Sequence, residues 1–147
     1  MEDFRYYCVK TRFWRDEKVR RWPEDTKLLA LYLITCPINN ILGCYVLPRD
    51  YIYGNLGWDP GQLQEHLGRL AADGFLKYDD SCHLMFLVNY LKHNPIANEN
   101  QAAAAARVLQ ELPKSRLLVD LKVAVTRQGR PYLKPLAQAL ERACAWE

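Results

Sequence analysis

Two short helices joined by the connection Gly57-Trp58-Asp59-Pro60 constrain the fold more than any other part of this sequence. Pro48 can open the first helix, in which Ile52 and Leu56 lie four residues apart on one face. Gly57 is suited to end it, because glycine readily adopts the left-handed conformation that closes many helices. Both helices are therefore expected to bury their apolar faces in a shared core.

The helix after this connection has strong signals at its N-terminus. Asp59 can cap it, Pro60 fits its first position, and Gln62 completes a capping-box-like pair. Trp58 and Leu63 have the spacing of a hydrophobic staple. The i, i+4, i+7, i+8 spacing predicts an inward face made of Leu63, Leu67, Leu70 and Ala71.

Further elements are predicted on both sides of this helix pair. They are a strand over residues 6–11, a helix that opens at Pro23, a very short strand over 44–47, and a hairpin of 75–78 and 83–88. The helix after Pro23 is apolar almost all round over 28–34, which is typical of the middle of a core. Three more helices are predicted over 101–112, 115–127 and 132–145, with Asn100 and Ser115 as caps of the first two.

The order of these elements is that of a winged helix-turn-helix, with residues 57–60 as the turn. The predicted class is α+β, mainly helical, with a C-terminal helical extension. The divisions are an N-terminal strand and basic arm (1–22), a winged-helix domain (23–95) and the extension (96–147). A small α+β domain without a nucleic-acid role is the alternative.

Composition narrows the class of protein. The chain has 147 residues, 50% apolar and 25% charged, which suffices for a globular core without disulfides or metal. The longest apolar run, residues 28–34, is too short to span a membrane, and no signal peptide is predicted. The five cysteines include no CxxC pair, which favours a reducing cytoplasm.

Neither a metal, a cofactor nor an enzymatic activity is expected. Cys82-His83 is the one adjacent Cys/His pair, whereas zinc sites use closely paired ligands. The histidines, His66, His83 and His93, are separated in sequence, and there is no P-loop or GxSxG motif. Each histidine is expected to be a surface or hydrogen-bonded residue.

Regional charge points to nucleic-acid contacts at the two ends of the sequence. The net charge is +2 over 1–27, −3 over 28–90 and +4 over 91–147. The N-terminal candidates are Lys10, Arg12, Arg15, Lys18, Arg20 and Arg21. Phe13 and Trp14 lie among them, either as stacking surfaces for single-stranded bases or as core residues.

A second basic stretch, residues 114–134, contains the candidates Lys122, Arg127 and Arg130 against one acidic residue, Asp120. It is either an electrostatic footprint for DNA or a solvated helical face.

The helix after Pro60 offers possible base contacts, because the equivalent helix of a helix-turn-helix enters the major groove. Gln62 and Arg69 could bind base edges, Gln64 lies on the flank, and Arg49 is a further basic candidate. The outward residues Gly61, Gly68 and Ala72 form a flat face that could instead contact another helix. The turn of the hairpin, residues 79–81, is acidic and poorly suited to phosphate.

Several segments resemble a known family. They are Lys10–Val19, Pro23–Leu29, Asn40–Tyr45 with Leu47-Pro48, and Asn89–Ile96. These segments are similar to the N-terminal winged-helix domain of phage replisome organisers and DnaD-like replication-initiation proteins, over roughly residues 6 to 113. The resemblance implies a role in starting DNA replication, with DNA contact, self-association and recruitment of a helicase or helicase loader.

Three functions are therefore carried forward. The first is a replication-initiation protein that binds double- or single-stranded DNA with low sequence specificity and forms homo-oligomers. The others are a protein-interaction and oligomerisation module without DNA contact, and a winged-helix transcription regulator. Self-association is expected to use the N-terminal strand through edge pairing. In the alternative, that strand pairs within its own subunit beside residues 83–88.

Overall fold

The computed structural model describes residues 6–145. Within that range the chain is α+β and mainly helical, as expected. The elements are α1 (Glu17–Arg21), α2 (Glu24–Thr35), β1 (Cys44–Val46), α3 (Arg49–Leu56), α4 (Pro60–Ala72), β2 (Leu76–Asp79), β3 (Leu84–Leu87), α5 (Tyr90–His93), α6 (Glu99–Gln110), α7 (Leu117–Gln128) and α8 (Lys134–Ala143). Short 3-10 turns, Thr11–Arg15 and Pro131–Leu133, precede α1 and α8.

The three strands form one antiparallel sheet in the order β1-β3-β2. Cys44 pairs with Phe86 across β1 and β3, and Leu76 pairs with Leu87 across β2 and β3. The predicted hairpin and the very short strand before α3 are both confirmed. All four side chains of the central strand β3 are buried, so both faces of the sheet are covered.

Two hydrophobic cores lie on opposite faces of this sheet. Met85 and Leu87 belong to the first core, which they share with residues of α2, α3 and α4. Leu84 and Phe86, which point the other way, belong to the second core with residues of α6, α7 and α8. The sheet is therefore a layer between two sets of helices.

Polar contacts also join α7 to the hairpin. The Ser115 hydroxyl donates a 2.6 Å hydrogen bond to Asp79 Oδ2, at the end of β2. The Lys77 ammonium lies 2.9 Å from Asp120 Oδ1 on α7. The edge of the hairpin thus contacts α7 rather than projecting freely into solvent.

The connection between α3 and α4 follows its sequence signals. Gly57 ends α3 with a φ of 69°, and Asp59 caps α4 by accepting a 2.8 Å hydrogen bond from the Gln62 backbone. Trp58 and Leu63 are both buried in the first core. The Gln62 side chain does not complete a capping box, because it bonds instead to Asp25.

Several boundaries and orientations differ from the sequence predictions. Asn98, not Asn100, caps α6, because the helix begins two residues earlier than predicted. Pro23 lies just before α2 rather than in its first position. Ala71 and Leu28 are exposed, since only one side of α2 and a narrower stripe of α4 face the core.

The predicted N-terminal strand is wrong for the residues that the structure describes. Residues 6–10 have no regular secondary structure, and Thr11 begins a 3-10 turn. Tyr6 is exposed, and the Tyr7 hydroxyl donates a hydrogen bond to the Asn39 backbone carbonyl. Strand propensity depends on an available partner edge, and residues 6–10 pair with no strand of the sheet.

No helix between residues 6 and 145 combines the length and the hydropathy that crossing a lipid bilayer requires.

Candidate nucleic-acid interface

The basic N-terminal segment, residues 7–22, contacts the rest of the protein at three points. Tyr7 bonds to Asn39, as described above. The Trp22 indole donates a 2.6 Å hydrogen bond to Asp73 Oδ2, just after α4. The Lys18 ammonium donates to the Asp73 carbonyl at 2.9 Å. The cations between these points consequently have defined positions on the surface.

A groove of about 520 Å³ lies between this segment and α5. Its cationic lining consists of Lys10, Arg12, Lys18, Arg21 and Lys92. Its acidic lining consists of Asp16, Glu17 and Asp73. The volume is in the range of about 300–1,000 Å³ that is usual for ligand sites. We call this feature the basic groove.

The acidic residues of the basic groove are all engaged within the protein. Asp16 caps α1 by accepting hydrogen bonds from the backbone of Lys18 and Val19. Glu17 lies 3.6 Å from the guanidinium of Arg21. Asp73 accepts from Trp22. Three groove cations, Lys10, Arg12 and Lys92, have no ion pair with any residue between 6 and 145.

The pKa of His93, at the α5 side of the groove, is lowered by its surroundings. Its pKa is lowered mainly by burial, and next by the neighbouring cations Arg12, Lys92 and Lys10, with Asp16 acting in the opposite direction. Burial and the nearby cations Arg12, Lys92 and Lys10 therefore favour the neutral ring of His93.

The two aromatic residues of the segment have different environments. Phe13 is half-buried, lines the groove and packs against the first core. Trp14 packs at right angles to Phe13 with 5.1 Å between ring centroids, yet 55% of its surface is exposed. The core-residue interpretation therefore suits Phe13 and fails for Trp14.

The polar residues of α4 that could bind base edges are mostly occupied. The Gln62 amide donates a 3.1 Å hydrogen bond to Asp25 Oδ2 on α2. The same carboxylate lies 3.8 Å from His66, whose other ring nitrogen is 2.7 Å from the Thr26 hydroxyl. His66 is buried and hydrogen-bonded, which is one of the two states expected for it.

Arg49 and Gln64 are partners of each other. The Arg49 guanidinium donates to Gln64 Oε1 at 2.9 Å and to Asp80 Oδ1 at 2.8 Å, and it lies over the Tyr78 ring. One side chain thus links α3, α4 and the turn of the hairpin. Of the α4 candidates, Arg69 alone is exposed without a side-chain partner among residues 6–145.

The remaining candidates lie away from the groove. Arg15 and Arg20 are exposed on the N-terminal segment, but they do not line the cavity. Lys122 lies 3.5 Å from Glu141 of α8. Arg127 and Arg130 are exposed at the end of α7 and make no ion pair within residues 6–145. None of Lys122, Arg127 and Arg130 lines the basic groove.

Lys92 and His93 are groove residues that were not selected from the sequence. They lie about 80 residues from Lys10 and Arg12, and only the folded chain brings these groups together. They belong to the segment Asn89–Ile96, which carries part of the family resemblance, but nothing in that segment predicts their approach to Lys10 and Arg12.

Among residues 6–145, no three His, Cys, Asp or Glu side chains are grouped so that they could hold a metal ion. Comparisons with protein-family models, with curated proteins and with solved structures found no match to this chain.

Proposed function

We propose that this protein acts in the initiation of DNA replication, as a replisome-organiser-type protein that binds DNA with low sequence specificity and self-associates. The family resemblance of residues 6 to 113 supports the biological role. The five cysteines are spread along the chain without a CxxC pair, which favours a reducing cytoplasm as its location. The proposal is for a binding protein rather than an enzyme.

A winged helix-turn-helix is the architecture that we propose for residues 23–95. The order α2, β1, α3, α4, β2, β3 and the sheet order β1-β3-β2 support it. In this interpretation α4 is the recognition helix and the β2–β3 hairpin is the wing. The contacts between the hairpin and α7 leave less of the wing available to DNA than in a free winged helix.

Low sequence specificity is supported by a difference between the side chains of the basic groove and those of α4. Lys10, Arg12 and Lys92 have no ion pair within residues 6–145, whereas Gln62 and Gln64 are hydrogen-bonded inside the protein. Cations that contact phosphates give affinity without base recognition. We therefore infer that binding depends on the backbone of DNA and declines steeply with salt.

Fluorescence anisotropy with labelled random duplex and single-stranded DNA tests this proposal. For three phosphate contacts, from Lys10, Arg12 and Lys92, affinity for duplex should fall about 40-fold between about 50 and 200 mM salt. Arg12→Glu should weaken binding to every sequence, while Arg107→Glu, a matched charge reversal on the exposed side of α6, should not. Absence of binding to either DNA at low salt would overturn the proposal.

Self-association is the second part of the proposal. Residues 6–10 form no strand, so edge pairing there does not support it. Two exposed valines support self-association instead. Val119 and Val123 lie one turn apart on α7 and are 50% and 45% exposed, so they offer apolar surface that a second copy could cover. Light scattering at about 100 micromolar protein should show a dimer or larger species, and a monomer there would contradict self-association.

One observation favours the protein-interaction module as a second candidate. Gly61, Gly68 and Ala72 are exposed on α4 and form a small flat face, while the nearby Asp80 makes the hairpin turn acidic. A helix of a partner, such as a helicase or helicase loader, could pack closely there. Binding of such a partner without any DNA binding would favour this candidate. Tight binding to one defined DNA sequence would instead favour a transcription regulator.

A further inference from the structure

We propose that the basic groove is a site for single-stranded DNA, in which one base stacks on Trp14 and the adjoining phosphates contact Lys10, Arg12 and Lys92. This inference rests on the proposed DNA-binding function and assigns it a substrate class and a stacking residue.

The environment of Trp14 is the first argument. The other tryptophans that the structure describes are buried: Trp22 is 5% exposed and Trp58 is 9% exposed. Trp14, at 55%, leaves a large apolar ring in contact with water. Trp14 and Phe13 pack edge to face, with 87° between the ring planes, so the two rings are not stacked face to face. A free indole face is the surface on which an unpaired base stacks.

The position of the unpaired cations is the second argument. Phe13, against which Trp14 packs, lines the same groove as Lys10, Arg12 and Lys92. Those are the three groove cations without a partner among residues 6–145, since Lys18 bonds to Asp73 and Arg21 pairs with Glu17. Trp14 does not itself line the groove, so a base on the indole would lie beside Phe13, and the adjoining sugar-phosphate backbone would enter the groove. Aromatic faces interleaved with basic residues are typical of sites for single strands.

The need for a free base face is the third argument, and it favours an unpaired strand over a duplex. Every base of a duplex is already stacked between its neighbours. Only an unpaired strand offers a free base face without the cost of unstacking. The duplex-binding alternative predicts no particular role for Trp14.

Substitution of Trp14 separates stacking from charge. We would measure the affinity of the full chain for labelled oligothymidine of about 12 nucleotides and for a random duplex of the same length. Trp14→Ala should weaken oligothymidine binding by about 5- to 150-fold and leave duplex binding unchanged. Trp14→Phe should retain most of the affinity because it keeps an aromatic face. Tyr51→Ala, an exposed aromatic on α3, is the matched control and should have no effect.

The salt dependence gives an independent measurement. For oligothymidine, Arg12→Gln should lower the slope of log affinity against log salt by about 0.7, because it removes one phosphate contact. Trp14→Ala should leave that slope unchanged, since stacking releases no counterions. Thermal melts would confirm that each variant is folded. An unchanged affinity of Trp14→Ala for oligothymidine, or an equal loss for duplex, would overturn the inference.

The inference and the proposed function fail in different ways. If the protein binds both kinds of DNA through Arg12, but Trp14→Ala binds oligothymidine as the unchanged protein does, the stacking site is wrong and DNA binding stands. If neither kind of DNA binds at low salt, the proposed function fails and the inference fails with it.

Discussion

Ser115 and Asp79 are joined by a 2.6 Å hydrogen bond that connects the beginning of α7 to the end of β2. Ser81 donates to the other oxygen of the same carboxylate, also at 2.6 Å. The hydrogen bond from Ser115, followed by that from Ser81, lowers the pKa of Asp79 to about 2. The ionised carboxylate is therefore a part of the contact between the sheet and the second layer of helices.

We expect Ser115→Ala to raise the pKa of Asp79 towards its ordinary value of 3.8, because the largest stabilising contact of the carboxylate is lost. A group with a lowered pKa stabilises the fold above its unfolded pKa and loses that contribution as the pH falls through its folded pKa. The variant should thus be less stable than the parent at neutral pH, and the difference should shrink as the pH falls from about 4 to about 2.

NMR titration of the Asp79 carboxyl carbon would measure this change directly. Ser81→Ala provides the comparison, since its side chain is the second and smaller cause and should shift the pKa less. A titration curve of Asp79 that is the same in Ser115→Ala and in the parent would show that the hydrogen bond does not hold the carboxylate.

Gly43 should tolerate alanine much less well than Gly57. Both have left-handed φ values, 65° and 69°, so each alanine incurs a backbone strain of about 1–2 kcal/mol. A Cβ at Gly43 would also overlap the ring of Tyr90, whereas a Cβ at Gly57 meets open space. Urea denaturation should show a larger loss of unfolding free energy for Gly43→Ala, by about 1–3 kcal/mol. Equal losses would mean that Tyr90 moves aside without cost.

Replacing Leu67 by alanine should cost roughly 2–5 kcal/mol of unfolding free energy. Leu67 is buried on the inward face of α4, within the first core. Glu65→Ala, on the exposed side of the same helix, should change stability by no more than about 0.5 kcal/mol. Chemical denaturation of both variants gives the comparison, and a loss under about 1 kcal/mol for Leu67→Ala would contradict tight packing there.

Reversal of Arg127 and Arg130 to glutamate should weaken DNA binding to all sequences alike. Both are exposed and unpaired within residues 6–145, so their interaction with DNA would be with phosphate. The double alanine variant of Gln62 and Arg69 is the control for base recognition. If that control abolished binding to one particular sequence while the reversal had no effect, α4 would be a major-groove reader.

The turn between α3 and α4 could be predicted from sequence because its signals are local. Gly57 ends α3 through its own left-handed φ, and Asp59 caps α4 by accepting a hydrogen bond from the backbone amide three residues later. The covering of both sheet faces also has a sequence signal: Leu84-Met85-Phe86-Leu87 is apolar without alternation, as in strands buried on two sides.

The candidate site was less predictable because its contacts are long-range. Gln62 is held by Asp25, 37 residues away, and Arg49 is held by Asp80, 31 residues away. Propensity and spacing identify which side chains face outward, but not which partner satisfies them. The basic groove depends on Lys92 approaching Lys10 and Arg12, and the tertiary fold alone determines that.

The position of the sheet between two cores has a consequence for any shortened form of this protein. Without α6, α7 and α8, the residues Leu42, Cys44, Leu84 and Phe86 would lose the side chains that cover them. A chain cut near residue 95 would then expose an apolar patch on β1, β3 and the loop before β1. Such a fragment would tend to aggregate or to recruit another molecule to cover that patch, so its behaviour in solution would say little about the intact protein.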